Sequence, residues 1–159
     1  MNEVEWTVRI MALSRKMYCV AYSILRNDAD CADAVQEAVA KAWQYKDRLN
    51  HEEYFETWLI RVLINRCKSE LRRRRRRNEA LQEERADHAS DPAIDVTLRD
   101  ALMRLKPKYR LPLILHYQDG YSLKEIARIL KVSEGLVKSR LYQARAELKK
   151  MLGGDEHEA

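Results

Sequence analysis

Ser122-Leu123-Lys124-Glu125-Ile126-Ala127-Arg128-Ile129-Leu130-Lys131-Val132-Ser133-Glu134-Gly135-Leu136-Val137-Lys138-Ser139-Arg140-Leu141 is the stretch that decides how this chain is read. Ser122 followed three residues later by Glu125 is a capping box. The serine hydroxyl accepts from the backbone N–H of Glu125, and the glutamate side chain accepts in return from the N–H of Ser122. The helix begun there puts Leu123, Ile126, Ala127 and Leu130 on one face, and the small Ala127 lets a second helix come close. Lys131-Val132-Ser133 is a three-residue turn with Val132 pointing inward. Ser133 caps the helix from Glu134 to Met151, with Leu136/Val137, Leu141, Ala144 and Leu148 inside and Lys138, Ser139, Arg140, Gln143 and Arg145 outside. A short helix, a tight turn and a cationic second helix are what the major groove accepts, so about Ser122 to Lys150 reads as a DNA-binding helix-turn-helix. An ordinary hairpin of helices with one basic face is the alternative. The capping box, central alanine, inward valine and cationic exit together favour the first reading. Gly153-Gly154 should stop the last helix, with Asp155 to Ala159 frayed beyond it.

Working upstream, Val96, Leu98, Leu102 and Leu105 make a short apolar helix closed by Lys106-Pro107. Tyr109 to Tyr117 follows as a nearly all-round apolar helix, with Pro112 expected in its first turn. Gln118 to Tyr121 is a turn. Before this unit lies Asn78 to Pro92, polar, poor in large apolar residues and ending in the helix-breaking Ser-Asp-Pro. Charge splits at the same place: residues 1–77 carry sixteen Lys and Arg against eleven Asp and Glu, and residues 98–159 thirteen against eight. Between them, residues 78–97 hold one base against six acids. Two basic blocks flanking an acidic connector suit a phosphate polyanion as partner, with binding that weakens as salt rises.

The N-terminal block reads as three or four helices. Ile10, Leu13, Met17, Val20/Ala21 and Ile24 recur at helical spacing. Arg26-Asn27-Asp28 breaks the pattern, and Asp28 or Asp30 can cap a second helix that buries Ala32, Val35, Val39, Ala42 and Trp43. Asp47 to Glu53 is a polar loop. A third helix runs from about Tyr54 through Phe55, Trp58, Leu59, Val62 and Leu63 into six consecutive arginines, Arg72 to Arg77. Such a run repels itself along a helix unless a polyanion or the neighbouring acids neutralise it. Tyr54, Phe55 and Trp58 could stack on unpaired bases, although aromatics at this spacing more often form core, the reading favoured for Trp58.

Other function classes lack their residues. No run of about 18 apolar residues suggests a membrane span, and the acidic start, Met1 to Trp6, is unlike an export signal. Cys19, Cys31 and Cys67 form no C-x-x-C pair, which argues for a reducing cytoplasm and against a disulfide framework or zinc site. The four histidines have no metal-ligand spacing. No compact Asp/Glu/His set suggests catalysis, although Asp33 and Glu37 at i,i+4 could hold a metal if they were not simply a solvated partner-binding face. The expectation is an all-α, non-enzymatic protein without cofactor or metal.

Taken together, the segments resemble one family. Asp33-Ala34-Val35-Gln36-Glu37-Ala38-Val39-Ala40-Lys41-Ala42-Trp43 resembles the helix with which sigma factors grip core RNA polymerase. Phe55 to Arg66, running into basic residues, resembles their promoter-reading helix. Leu105 to Leu115, Gly120 to Ala127 and Gly135 to Leu141 are similar to their C-terminal domain. The likeness is to the extracytoplasmic-function sigma factors, and covers about residues 10–77 and 96–151. It implies an N-terminal domain over 1–77 for core polymerase and the −10 element, an acidic linker over 78–95, and a −35-binding domain over 96–159.

Residue by residue, the resemblance implies polymerase contact for Asp33, Gln36, Glu37 and Trp43, with Trp43 either at that contact or in the core. It implies −10 contact for Arg61, Asn65, Lys68, Arg72 and Arg73, and capture of a non-template base by the loop Arg48 to Tyr54. It implies −35 contact for Ser133, Glu134, Lys138, Ser139 and Arg140. The helices from Leu98 to Leu115 would face the polymerase flap, leaving part of their apolar stripe exposed, and the acidic connector would run through the transcript channel. An anti-sigma partner is typical. Two positions depart from the family: Lys131 stands where Gly is usual in the turn, and Leu136 where Thr is common beside the phosphates. The competing function is a stand-alone repressor or activator, which would dimerise and bind duplex operators; no dimerising coiled coil is evident here.

Overall fold

The structure, a computed structural model, describes residues 2–77 and 98–153. It is built of helices, with no strand among the described residues. The connector, Val96 and Gly154 onward lie outside those residues.

Helix α1, Glu3–Leu25, starts from an Asn2 capping box, in which Glu5 N–H donates to Asn2 Oδ1 at 2.8 Å. It ends where Arg26 turns left-handed (φ 57°) and caps Tyr22. Its inner stripe is the expected one, with Trp6 added: Ile10, Leu13, Met17, Val20, Ala21 and Ile24 are all buried.

Helix α2, Asp28–Tyr45, is capped by Asn27, not by Asp28 or Asp30, which occupy its first turn. The buried face also differs from expectation. Cys31, Ala34, Ala38 and Ala42 are inside, Val35 and Val39 sit at the edge, Ala32 is exposed and Trp43 is 42% exposed. In a helix this rich in alanine two neighbouring stripes satisfy the same periodicity, and the one of smallest side chains wins because it lets α1 and α3 pack closely on α2. Two short 3₁₀ turns, Lys46–Arg48 and Glu52–Tyr54, carry the chain into α3, Phe55–Arg77. Phe55, Leu59, Ile60, Leu63, Ile64 and Cys67 are its buried face, so Phe55 is core.

In the second unit α4 is Leu98–Arg104, and α5, Pro107–Leu113, starts two residues earlier than expected. Pro107 occupies its first turn, where a missing N–H costs nothing. Pro112 is therefore inside the helix, not in its first turn. It donates no backbone bond, and just beyond it the helix widens into a π turn over Ile114–Gln118, where Asp119 N–H reaches Ile114 O at 3.0 Å. Arg110 is 3% exposed and donates to the carbonyls of Leu105 (2.6 Å) and Met103 (3.1 Å), which tie off α4; burial pulls its guanidinium down to about 10. Leu98 is exposed, but Leu111, Leu113, Ile114 and Leu115 are not.

Helices α6, Leu123–Leu130, and α7, Glu134–Met151, are the helix-turn-helix. The capping box is present, Glu125 N–H to Ser122 Oγ at 3.0 Å and Ser122 N–H to Glu125 Oε1 at 2.9 Å. Ile126, Ala127 and Ile129 are buried, with Leu123, Leu130 and Val132 packed against them. Lys131 takes the left-handed turn (φ 60°, ψ 49°), at a cost of about 1 kcal/mol relative to glycine. On α7, Val137, Leu141 and Ala144 are inside; Leu136 is not, being 38% exposed. Across the two units, α5 packs on α1 and α6 on α3.

Candidate nucleic-acid interface

Arg61, Asn65, Lys68 and Arg72 recur at i, i+4, i+7 and i+11, so α3 carries them on one flank. Asn65, Lys68, Arg72 and Arg73 are exposed and Arg61 is half-buried. Arg61 lines a cavity of about 320 Å³, with His51, Tyr54, Thr57 and Trp58 around it. Tyr54 and Trp58 are thus at a surface concavity while Phe55 between them is sealed in the core. A half-open space of this size, walled by two aromatic rings and a guanidinium, has the dimensions and chemistry to take an unstacked base. A further wall, Arg128 of α6, was not foreseeable from sequence; its guanidinium carbon lies 4.6 Å from the centre of the Tyr54 ring.

The arginine run is not uniform. Glu70, buried on α3, gathers Arg73 at 2.8 Å, Arg66 at 3.8 Å and Arg74 at 3.9 Å. Arg74 also pairs with Asp30 of α2, and Arg66 with Glu37. Arg72 donates to Ser69 Oγ at 3.1 Å. Arg75, Arg76 and Arg77 are exposed. The protein's own acids therefore relieve the self-repulsion on the α2 side, leaving Arg61, Lys68, Arg72 and Arg75 to Arg77 to make the outer cationic surface.

Asp33, Gln36 and Glu37 are exposed on α2. The hydrogen bond from Arg66 holds the Glu37 carboxyl below the usual carboxylate range. Trp43, nearly two turns further along, is both surface and packing. Its ring meets Trp6 edge-on at 5.0 Å, and Lys46 Nζ lies 4.4 Å from its centre.

On α7, Ser133 accepts from Leu136 N–H at 3.0 Å, which leaves its own O–H to donate. Glu134, Lys138 and Ser139 are exposed and Arg140 is half-buried beside them. Sequence reading placed Leu136 inward; instead it joins this outer face, as does Tyr142, 71% exposed. Arg145 is held by Tyr117, whose hydroxyl accepts at 2.7 Å. The reading face is thus mixed, with cations for phosphates and apolar groups that can meet a thymine methyl.

Among the described residues no group of three or more His, Cys, Asp or Glu could hold a metal ion, and no helix is long and apolar enough to cross a membrane. Cys31 and Cys67 are fully buried, and burial pushes both thiols up, that of Cys67 to about 12.

Residues 10–77 match the family description "Sigma-70 region 2" and residues 95–148 "Sigma-70, region 4". The chain is 32% identical over 142 residues to the ECF RNA polymerase sigma factor SigM of Mycobacterium tuberculosis, covering 87% of this chain and 72% of that protein. Against the ECF RNA polymerase sigma factor SigW of Bacillus subtilis the identity is 28% over 156 residues, covering 86% and 83%. Two solved structures share the fold. The sigma factor RpoE in complex with the anti-sigma factor NepR, from Bartonella quintana, has a TM-score of 0.75 at 25% identity, over 93% of this chain and 96% of that one. CnrH in complex with the cytosolic domain of CnrY has a TM-score of 0.73 at 26% identity, over 97% and 91%. Helical architecture, order of surfaces and these relatives agree: this chain belongs to the extracytoplasmic-function group of sigma-70 RNA polymerase sigma factors, which direct promoter-specific transcription initiation.

Proposed function

We propose a division of labour between the two units, carried by one observation: a base-sized cavity beside Arg61 in the first, and a helix-turn-helix with a mixed cationic face in the second. The stretch 1–77 holds core polymerase and the −10 element, 78–95 links, and 96–159 reads the −35 element. Asp33, Gln36 and Glu37, with the outer edge of Trp43, present an acidic, aromatic-rimmed face to polymerase. Arg61, Asn65, Lys68, Arg72 and Arg73 follow the strand next to the cavity, which receives an unpaired base. Arg73 is the weaker member, because Glu70 already engages it. Ser133, Glu134, Lys138, Ser139 and Arg140 meet the −35 duplex.

No bond is made or broken by the chain in this reading. Binding energy spent on unpaired −10 bases offsets the cost of melting them. The protein works in the cytoplasm, where its polymerase and promoter are. An anti-sigma factor is a further partner, as NepR is for the sigma factor RpoE of Bartonella quintana.

Multi-round transcription with core polymerase tests the assignment. Wild type should give promoter-specific transcripts that are absent without it. Arg61→Ala should lose open complexes while duplex binding through the −35 element persists. Lys138→Ala should instead weaken promoter binding and make its salt dependence shallower by about one unit of slope. Tight operator binding by the chain alone, with no transcripts, would favour a stand-alone repressor.

A further inference from the structure

Arg66 belongs by sequence to the basic stretch of α3, yet its guanidinium faces carboxylates. Its Nε donates to Glu37 Oε1 of α2, and one terminal nitrogen donates to Glu37 Oε2 at 3.3 Å. The other terminal nitrogen lies 3.8 Å from Oε1 of Glu70, one turn further along α3. All three nitrogens are therefore directed at acids, two of them in the fork that matches a carboxylate.

We propose that Arg66 is a positioning residue for polymerase binding: its fork holds the Glu37 carboxylate in one orientation on the face that α2 offers to core RNA polymerase. The role rests on the reading of Asp33, Gln36 and Glu37 as that face.

The Glu37 side chain is 56% exposed, within reach of a partner. An unpaired glutamate at such a position exchanges among several rotamers, and a partner that needs one of them loses binding energy in selecting it. The fork makes that selection beforehand. It is itself fixed from behind, because Glu70 is only 5% exposed on a helix packed against α1 and α2. Engagement by Arg66 does not exhaust Glu37 as an acceptor. A carboxylate offers about four lone pairs, the fork takes two, and the others are left for donors of the polymerase. The hydrogen bond from Arg66 is also the main reason that the Glu37 carboxyl lies below its usual range, so the group stays ionised.

The fold supplies its own reference for a purely structural role. Arg74 pairs with Asp30 of α2 and lies 3.9 Å from Glu70 Oε2, so it too joins an acid of α2 to the same buried glutamate. Asp30 is in the first turn of α2 and is not part of the assigned polymerase face. Arg66 and Arg74 thus bridge the same two helices in the same way, and only Arg66 holds a residue of that face.

The test titrates core RNA polymerase into the fluorescently labelled full-length chain and reads anisotropy, with no DNA present, so that any action of the arginines on a promoter stays out of the measurement. The variants are Glu37→Ala, Arg66→Ala, the two combined, Arg66→Lys and Arg74→Ala, each checked for native helicity by circular dichroism and for melting temperature. Glu37→Ala should weaken polymerase binding about tenfold and Arg66→Ala about fivefold, the equivalent of one net hydrogen bond. The combined variant should bind no worse than Glu37→Ala, because Arg66 acts through Glu37. Arg66→Lys keeps the charge without the fork and should recover less than half of the loss. Arg74→Ala should lower the melting temperature about as much as Arg66→Ala does, yet bind polymerase within twofold of wild type. An Arg66→Ala chain that binds as tightly as wild type, or more tightly, while Glu37→Ala is weakened overturns the positioning role and leaves the polymerase face standing. Losses that add in the combined variant, full recovery with lysine, or an equal loss in Arg74→Ala overturn it as well, the last by showing a general effect of loosening α2 from α3. Undiminished binding by Glu37→Ala overturns the reading of Glu37 as polymerase contact, and the positioning role with it.

Discussion

Asp119 sits at the mouth of the interface between the units, half-buried, with its Oδ2 buried and without a hydrogen-bond partner. Burial, with Glu56 nearby and only partly offset by Lys16, pushes its carboxyl up from 3.8 to about 6. The unfolded chain ionises this group near 3.8, so the folded state binds the extra proton between about pH 4 and 6. Its contribution to stability is therefore fully present below that window and lost as pH rises through it. Glu56 shifts the other way: burial raises it, but hydrogen bonds from Lys16 and Tyr121 outweigh that and hold it below its usual 4.5, so its effect falls at lower pH. Asp119→Asn should stabilise the protein at pH 7.5 and progressively less on approaching pH 4.5. Two full pKa units would be worth about 3 kcal/mol, and the side chain's partial exposure to solvent reduces this to about 1 kcal/mol. Melting temperatures of the two proteins across that range check it, with a gap of about 2–4 °C expected at pH 7.5.

At the scale of the element, α3 has two opposed tasks. Its outer flank carries exposed cations, while its inner flank uses acids to hold like charges together. Glu70 is the hinge between them, buried yet within 4 Å of Arg66, Arg73 and Arg74. Asp30 and Glu37 extend the same arrangement to α2. Glu70→Gln leaves the shape but removes the charge on which the three guanidiniums converge. Those guanidiniums can turn toward water, so the loss should be about 1–3 kcal/mol, short of what a sealed ion pair would cost. Urea unfolding should show a lower midpoint with an unchanged slope. Helix α7 makes the same kind of compromise with less charge, since Leu136 and Tyr142 share its outer face with Lys138 and Ser139.

Over the whole molecule, the proposed division of labour makes the distance between the two units the governing quantity. The buried residues of the two units form one continuous core, with α5 packed on α1, α6 packed on α3, and Tyr121 bonded to the Glu56 carboxylate. The working arrangement depends on residues 78–97, whose contour length when extended is about 70 Å. Removing Glu79 to Asp91 would leave a reach of about 25 Å. Such a chain should still bind a −35 duplex in the presence of polymerase but fail to form open complexes on full promoters. Permanganate footprinting of the −10 region beside a duplex-binding assay reads both. Equal loss in the two assays would instead mean that the deletion damages the second unit.

The all-α class and the capping box at Ser122 were legible from sequence because each is fixed within a few residues of chain, while the turn at Lys131 and the set Arg61, Asn65, Lys68 and Arg72 were legible through the family resemblance. Local rules set periodicity, caps and turns, and a motif's order along the chain is itself sequence. Where local rules were degenerate, packing decided. Alanines on α2 fitted two stripes, and close approach of α1 and α3 chose the one that leaves Trp43 half outside. Leu136 fitted the inner face of α7 until Val137 filled it. Pro112 fitted a first turn until Pro107 supplied one. Glu70's three arginines, Arg128 above Tyr54 and Tyr121 against Glu56 had no signal at all in the order of residues. Glu56 and Tyr121 stand 65 positions apart, and no periodicity spans that. Sequence by itself determined the helices, their caps and the charged surfaces they carry. Only the tertiary structure decided which of those surfaces the molecule covers, because coverage depends on side chains brought together by the fold and not by the chain.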